Sequence, residues 1–164
     1  MSVYSDLKNR CLKSNMEIKL NRLAIYTFGN VSIIDRKRKV IAIKPSGIPY
    51  DSLTEDKIVI LDLLGNIIEG DKRPSSDTKT HLYLYNAWKN INSICHTHST
   101  YAVGWSQSLY SIPVLGTTHA DLLTREIPCT QPMEDSLIKG DYEVNTGAQI
   151  VNYFLEKNLD PSEV

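Results

Sequence analysis

The stretch Ile94-Cys95-His96-Thr97-His98-Ser99 carries two histidines one residue apart, led by the apolar Ile91 and Ile94. Its composition predicts a short strand. Side chains alternate faces along a strand, so His96 and His98 are expected on one face and Cys95 and Thr97 on the other. Their Cβ atoms then lie roughly 7 Å apart, from about 3.3 Å of rise per residue. Imidazoles at that spacing can meet on one ion at about 2.0–2.1 Å each, which is zinc chemistry. Cys95, on the opposite face, is a poor third ligand. A His-x-His alone is more often a pair of hydrogen-bonded histidines, so the surrounding residues decide the matter.

Before this strand, Thr78 to Trp88 reads as a helix with Leu82, Tyr85 and Trp88 at helical spacing. After it, a second helix is expected from Ser99 toward Leu109. Ser5 to Met16 predicts a helix with a narrow stripe of Leu7, Cys11 and Leu12. Leu23 to Phe28 reads as a strand broken by Gly29-Asn30. Val31 to Ile34 and Val40 to Ile43 predict a hairpin whose charged tip, Asp35 to Lys39, is a solvated turn. Ile58 to Leu61 and Ile67-Ile68 flank the turn signal Leu64-Gly65-Asn66. Ile112 to Leu115 reads as a further strand and Thr117 to Asp121 as a loop. A last helix is expected from Asn145 or Thr146 to about Lys157, burying Ile150, Val151, Phe154 and Leu155. Leu159 to Val164 reads as a loop leading toward another strand. Hairpins mixed with helices point to an α/β layered domain around a largely antiparallel sheet.

The 164 residues suffice for one domain with its own core. A net charge of -1 argues against a nucleic-acid or anionic-membrane partner. No apolar run is long enough to span a membrane, and Asp6 stands where a signal peptide needs apolar residues. The three widely spaced cysteines read as reduced thiols of a cytoplasmic protein.

Three features suit an anion. Ser75-Ser76 precedes a predicted helix, whose N-terminus offers unpaired N–H groups and positive dipole. Ser46-Gly47 and Gly29-Asn30 sit in turns where the main chain can approach a ligand closely. Each is ordinary alone; together they point to a phosphate cradle if the fold gathers them. For the metal, Asp77 is the nearest attractive carboxylate, although a first-turn Asp is common on dipole grounds. His81, inside a helix, is as readily a packing residue as a ligand. Asp121, in a Thr/His/Ala stretch, can carry protons to a substrate; an isolated Asp there is more often a turn or cap.

Read in order, Thr27-Phe28-Gly29-Asn30-Val31-Ser32, Ile43-Lys44-Pro45-Ser46-Gly47 and Lys72-Arg73-Pro74-Ser75-Ser76-Asp77 are followed by three more motifs. These are His96-Thr97-His98-Ser99, Gly116-Thr117-Thr118-His119-Ala120-Asp121 and Ile127-Pro128-Cys129-Thr130. The chain closely resembles the L-ribulose-5-phosphate 4-epimerases of the class II aldolase and epimerase superfamily. The resemblance implies a three-layer α/β/α fold around a central, largely antiparallel sheet. It also implies a zinc ion and a homotetramer with active sites between subunits. By matching motif, Gly29, Asn30, Ser46, Gly47, Ser75 and Ser76 would hold the sugar phosphate. Asp77, His96 and His98 would belong to the zinc site, and Asp121 would be one catalytic acid/base. Phe28 stands where the family often has Trp. The family pattern runs on for tens of residues, with a further zinc-ligating His and an opposing Tyr acid/base. Residues 1–164 are therefore read as a single domain lacking its C-terminal portion.

Chemistry gives an independent reason for these parts. The hydrogen on carbon 4 of ribulose 5-phosphate is not next to the carbonyl, so direct deprotonation there is too slow. Breaking the bond between carbons 3 and 4 leaves an enediolate, which a Lewis acid stabilises. The freed glycolaldehyde phosphate, held by its phosphate, can turn and rejoin through its other face. The reaction expected is conversion of L-ribulose 5-phosphate to D-xylulose 5-phosphate, in pentose or ascorbate catabolism. The nearest alternative is an aldolase acting on fuculose or rhamnulose 1-phosphate, where a Glu follows the Ser pair. A non-catalytic sugar-phosphate-binding remnant is the alternative from another class.

Overall fold

Alternation along the strands decides how the layers assemble. The computed structural model describes residues 2–163; Met1 and Val164, the outer bounds of the expected domain, lie outside the described residues. Five strands form one antiparallel sheet: β1 (Asn30–Asp35), β2 (Val40–Ile43), β3 (Val59–Asp62), β4 (Ile67–Glu69) and β5 (Ser93–His96). Their order is β4-β3-β2-β1-β5, so the histidine strand lies at one edge, beside β1. Val31, Ile33, Val40, Ala42, Ile58 and Ile60 turn to one face, and Ile34, Ile41, Ile43, Val59 and Leu61 to the other. A strand buried on both faces reads as a continuous apolar run, as Val40 to Ile43 does.

Helix α1 (Ser5–Leu20) covers the first face through Leu7, Cys11 and Ile18. Buried Asn15 fixes its register by binding both main-chain groups of Val31: Nδ2 donates to the carbonyl at 2.9 Å and Oδ1 accepts from the N–H at 2.8 Å. Helix α2 (Thr78–Ala87) covers the second face through Leu82 and Tyr85. Helix α6 (Tyr142–Glu156) packs outside α2. Three short helices lie between β5 and α6: α3 (Thr100–Gln107), α4 (Gly116–Ala120) and α5 (Asp135–Ile138). None of them contributes a buried residue. The expected α/β/α layering around an antiparallel sheet is the one observed.

Several local expectations are corrected. Leu23–Phe28 is not a strand: Tyr26 has φ +53°, which an extended strand does not accommodate. Ile112 makes a single bridge to Ile127 rather than a strand, and residues 116–120 form α4 instead of a loop. Helix α6 starts at Tyr142, and its Leu155 is exposed. Within the charged hairpin tip, Arg36 is not a solvated residue. Its guanidinium turns inward and donates to the carbonyls of Tyr85, Trp88 and Ile91.

Gly147 marks the closest approach of α6 to α2. A Cβ placed there would lie 2.7 Å from the Cβ of Tyr83, an atom that cannot swing away. Gly147→Ala should therefore lower stability by about 1–3 kcal/mol, as overpacked sites do. Urea unfolding checks this; an unchanged midpoint would mean that the two helices part freely.

Candidate functional site

Two loops are tied to each other by their main chains. Ser46 N–H donates to the carbonyl of Arg73 at 2.9 Å, and Ser75 N–H donates to that of Lys44 at 3.1 Å. The loop after β2 is thereby held against the N-terminus of α2. Gly29 and Asn30 enter from the start of β1. Gly29 has φ +73°, and a Cβ on it would come within 3.0 Å of both the Ala24 Cβ and the His96 carbonyl. Only glycine fits there. Together these segments line a cleft of ≈ 480 Å³ that contains Gly29, Asn30, Ser46, Gly47, Ser75 and Ser76. Asp77, His96 and His98 line the same cleft. The fold thus gathers every residue singled out for phosphate or metal.

Asp77 is the hub. Its Oδ2 accepts from Asn30 Nδ2 at 2.5 Å and from Ser75 Oγ at 3.2 Å, and pairs with His96 Nδ1 at 2.9 Å. Burial works against the Asp77 charge but is outweighed by the hydrogen bond and charge of His96 and by Asn30, so its pKa falls to about 2. The same hydrogen bond raises the pKa of His96 against the opposing effect of burial. Asn30 is buried, and its Oδ1 has no hydrogen-bond partner. That leaves an unused acceptor at the floor of the cleft. Strand β5 ends at His96, yet the two imidazoles still converge, with ring centroids 4.9 Å apart and planes 28° off parallel.

The donor set fits part of a zinc centre. A carboxylate on Nδ1 is the usual orienting partner of a ligating histidine, and it leaves Nε2 as the coordinating atom of His96. His98 supplies a second imidazole. Among the described residues, no group of three or more His, Cys, Asp or Glu side chains is arranged to hold a metal. Asp121 caps the end of α4, is exposed, and does not line the cleft. His119 turns its Nδ1 to the Leu115 N–H at 3.2 Å.

Two lining residues escaped the sequence reading. Lys44 is buried, donates to the carbonyl of Thr27 at 3.0 Å, and lies over the Tyr50 ring at 4.9 Å. Burial lowers its pKa, and the nearby Asp77 charge opposes that drop. A signal was present: Lys44 continues the parity of the buried Val40 and Ala42, and a charge on a core face requires a purpose. Tyr142 reaches the cleft from the start of α6. Nothing near it in the sequence pointed there.

The class II aldolase and adducin N-terminal domain is the family whose model matches residues 9–158. Among solved structures, an L-fuculose 1-phosphate aldolase aligns with a TM-score of 0.71 at 23% identity, covering 96% of this chain and 88% of its own. The L-fuculose-1-phosphate aldolase of Thermus thermophilus gives 0.69 at 20% identity, covering 89% and 72%. A sugar-phosphate aldolase from Thermotoga maritima gives 0.70 at 15% identity, covering 93% and 79%. At such identities the likeness is one of fold.

The Asp77–His96 pair predicts a pH signature for the metal-free protein. The raised pKa of His96 gives stability that is full below its ordinary value of 6.5 and is lost as pH rises through the folded value. The lowered pKa of Asp77 gives stability that is full above its ordinary 3.8 and is lost as pH falls toward about 2. Asp77→Asn should flatten the profile of urea midpoint against pH on both flanks. A mutant profile parallel to the wild type would refute the pairing.

Proposed function

Because the chain belongs to the class II aldolase and adducin N-terminal domain family, we propose that it is a zinc-dependent sugar-phosphate enzyme. Its reaction on this reading is epimerisation of L-ribulose 5-phosphate at carbon 4. The observation that carries the reading is the meeting of an oxyanion cradle and a histidine pair in one cleft. Ser46, Ser75 and Ser76 offer hydroxyl donors, and the N-terminus of α2 offers its dipole to the phosphate. Lys44 adds positive charge beneath them. Holding the phosphate lets the aldehyde fragment turn and present its other face. His96 and His98 would hold the zinc, and Asp77, expected among the zinc ligands, would instead orient His96 through its Nδ1. Zinc supplies Lewis acidity that stabilises the charge released when a carbon–carbon bond breaks.

Asp121 is proposed to move protons on one face of the substrate, reaching the cleft of a neighbouring subunit. The surface that carries it supports such an assembly. Tyr101 and Leu122 are 86% and 83% exposed, and Tyr110 and Leu115 lie in the same unburied segment. An apolar surface of this kind suits association. A homotetramer in the cytoplasm, with sites between subunits, is the assembly proposed. The choice of epimerase over aldolase rests on Asp77, where the aldolases resemble one another in having Glu, and on Asp121. Against it, three of the solved structures of like fold are named as aldolases. An aldolase acting on a deoxyhexulose 1-phosphate is therefore the second reading.

His96→Ala should abolish zinc binding and turnover together, as read by metal analysis and assay; retention of both sinks the zinc assignment. Ser75→Ala with Ser76→Ala should raise KM about 10²-fold or more, because two charge-assisted bonds are lost. Asp121→Asn should lower turnover by about 10²–10⁴-fold while zinc stays bound. A wild type that cleaves fuculose 1-phosphate and leaves L-ribulose 5-phosphate untouched would replace the epimerase with the aldolase.

A further inference from the structure

We propose that Phe28 is a positioning residue for His98: its ring, stacked on the imidazole, does for that histidine what the Asp77 carboxylate does for His96. The inference rests on the zinc reading of the cleft and deepens it by assigning the second histidine its support. The two histidines are held by different means. His96 shares its Nδ1 with Asp77 at 2.9 Å. His98 is tied through its main chain, its N–H donating to the Leu23 carbonyl at 2.9 Å. Its ring instead stacks with Phe28, centroids 5.2 Å apart and planes 30° off parallel, and with His96 at 4.9 Å.

The main chain that carries Phe28 is fixed without help from His98. Tyr50 Oη lies 3.0 Å from the carbonyl of Phe28 and 2.9 Å from that of Gly29. Lys44 Nζ donates to the carbonyl of Thr27 at 3.0 Å. Three consecutive carbonyls are thus held by two buried side chains. Tyr26 closes on the Phe28 ring edge-on, with centroids 6.0 Å apart and planes at 83°. The Phe28 ring, 48% exposed, thus stands on a pinned main chain, and the imidazole lying against it is restrained from turning about χ2. A ligand already in its bound orientation loses less freedom when a metal arrives. Stacking fixes the plane of an imidazole without choosing its tautomer, so either ring nitrogen of His98 remains able to coordinate. Loss of the outer partner of a metal-ligating histidine typically lowers affinity about 10–100-fold.

The test compares wild type, Phe28→Leu, Phe28→Trp and His98→Ala in zinc and cobalt titrations of the full chain. NMR shifts of the His98 ring protons in metal-free protein are read in parallel. Phe28→Leu should weaken both metals about 10-fold, change the visible absorption of the cobalt form, and reduce the upfield ring-current shift of His98 to the part due to His96. Phe28→Trp should stay within about twofold of wild type and keep the shift, because an aromatic face is retained. Metal binding by Phe28→Leu equal to wild type, with an unchanged cobalt spectrum, overturns the proposal and leaves the zinc reading standing. A wild type that binds neither metal, or a His98→Ala that binds both normally, overturns the zinc reading and this inference with it. A ring-current shift of the same size in Phe28→Leu would show that the stack is not with Phe28 and overturn the proposal.

Discussion

Asn30 and Ser32 point from the same face of β1 into α2, and the helix answers with Asp77, His81 and Tyr85, one turn apart. Asn30 Nδ2 reaches Asp77, Ser32 Oγ lies 2.8 Å from His81 Nδ1, and Ser32 Oγ lies 2.9 Å from Tyr85 Oη. Tyr85 Oη also donates to the Ser32 carbonyl at 2.9 Å. This is a polar seam inside an otherwise apolar interface. Buried groups of this kind are costly unless each finds its partner, so the seam tolerates one placement of the helix on the strand. That placement puts Asp77 beside His96, because Asn30 is paired with His96 across the sheet. The serines before α2 are delivered over the cleft by the same constraint. His81, with a pKa lowered to about 4 chiefly by burial, stays neutral in the seam and keeps it free of a second cation.

Both hairpins were legible because their strands are short apolar runs separated by strong turn signals. Helix α2 was legible from the spacing of Leu82 and Tyr85. The cradle residues and the histidine pair were legible as motifs, and the fold brings them to one cleft. What escaped has a common physical character. Leu23 to Phe28 has strand-like composition, but its conformation is set by Lys44 and Tyr50, which seize its carbonyls from elsewhere in the chain. Ile112 looks like a strand, yet it finds only Ile127 as a partner. Lys44 was hidden by its ordinary place before a proline. Asp121 was named from its motif, and nothing within one copy of the chain draws it toward the cleft.

The cleft and the outlying helices obey different physics. Around the cleft, Asp77, Ser75 and His96 are paired, main chains are pinned, and the charges of Asp77, His96 and Lys44 lie close enough to influence one another. From α3 to α5 the chain is held mainly by local bonds and leaves large side chains in solvent. Rigid placement suits groups that must meet a small ligand at fixed distances. Loose apolar surface suits a segment whose structure is completed by contact with another molecule.

Several of the bonds that fix this architecture run from a side chain to a main-chain group. Asn15 grips Val31, Tyr50 holds Phe28 and Gly29, Lys44 holds Thr27, and Arg36 holds Tyr85, Trp88 and Ile91. A bond addressed to a peptide group is indifferent to the side chain borne by its recipient. Val31 could become isoleucine or threonine, and Trp88 another residue of similar bulk, with the tether intact. The information that specifies the scaffold is therefore concentrated in the few residues that reach out. The positions they reach are released to drift, which is one physical route by which chains sharing about a fifth of their residues can keep the same frame.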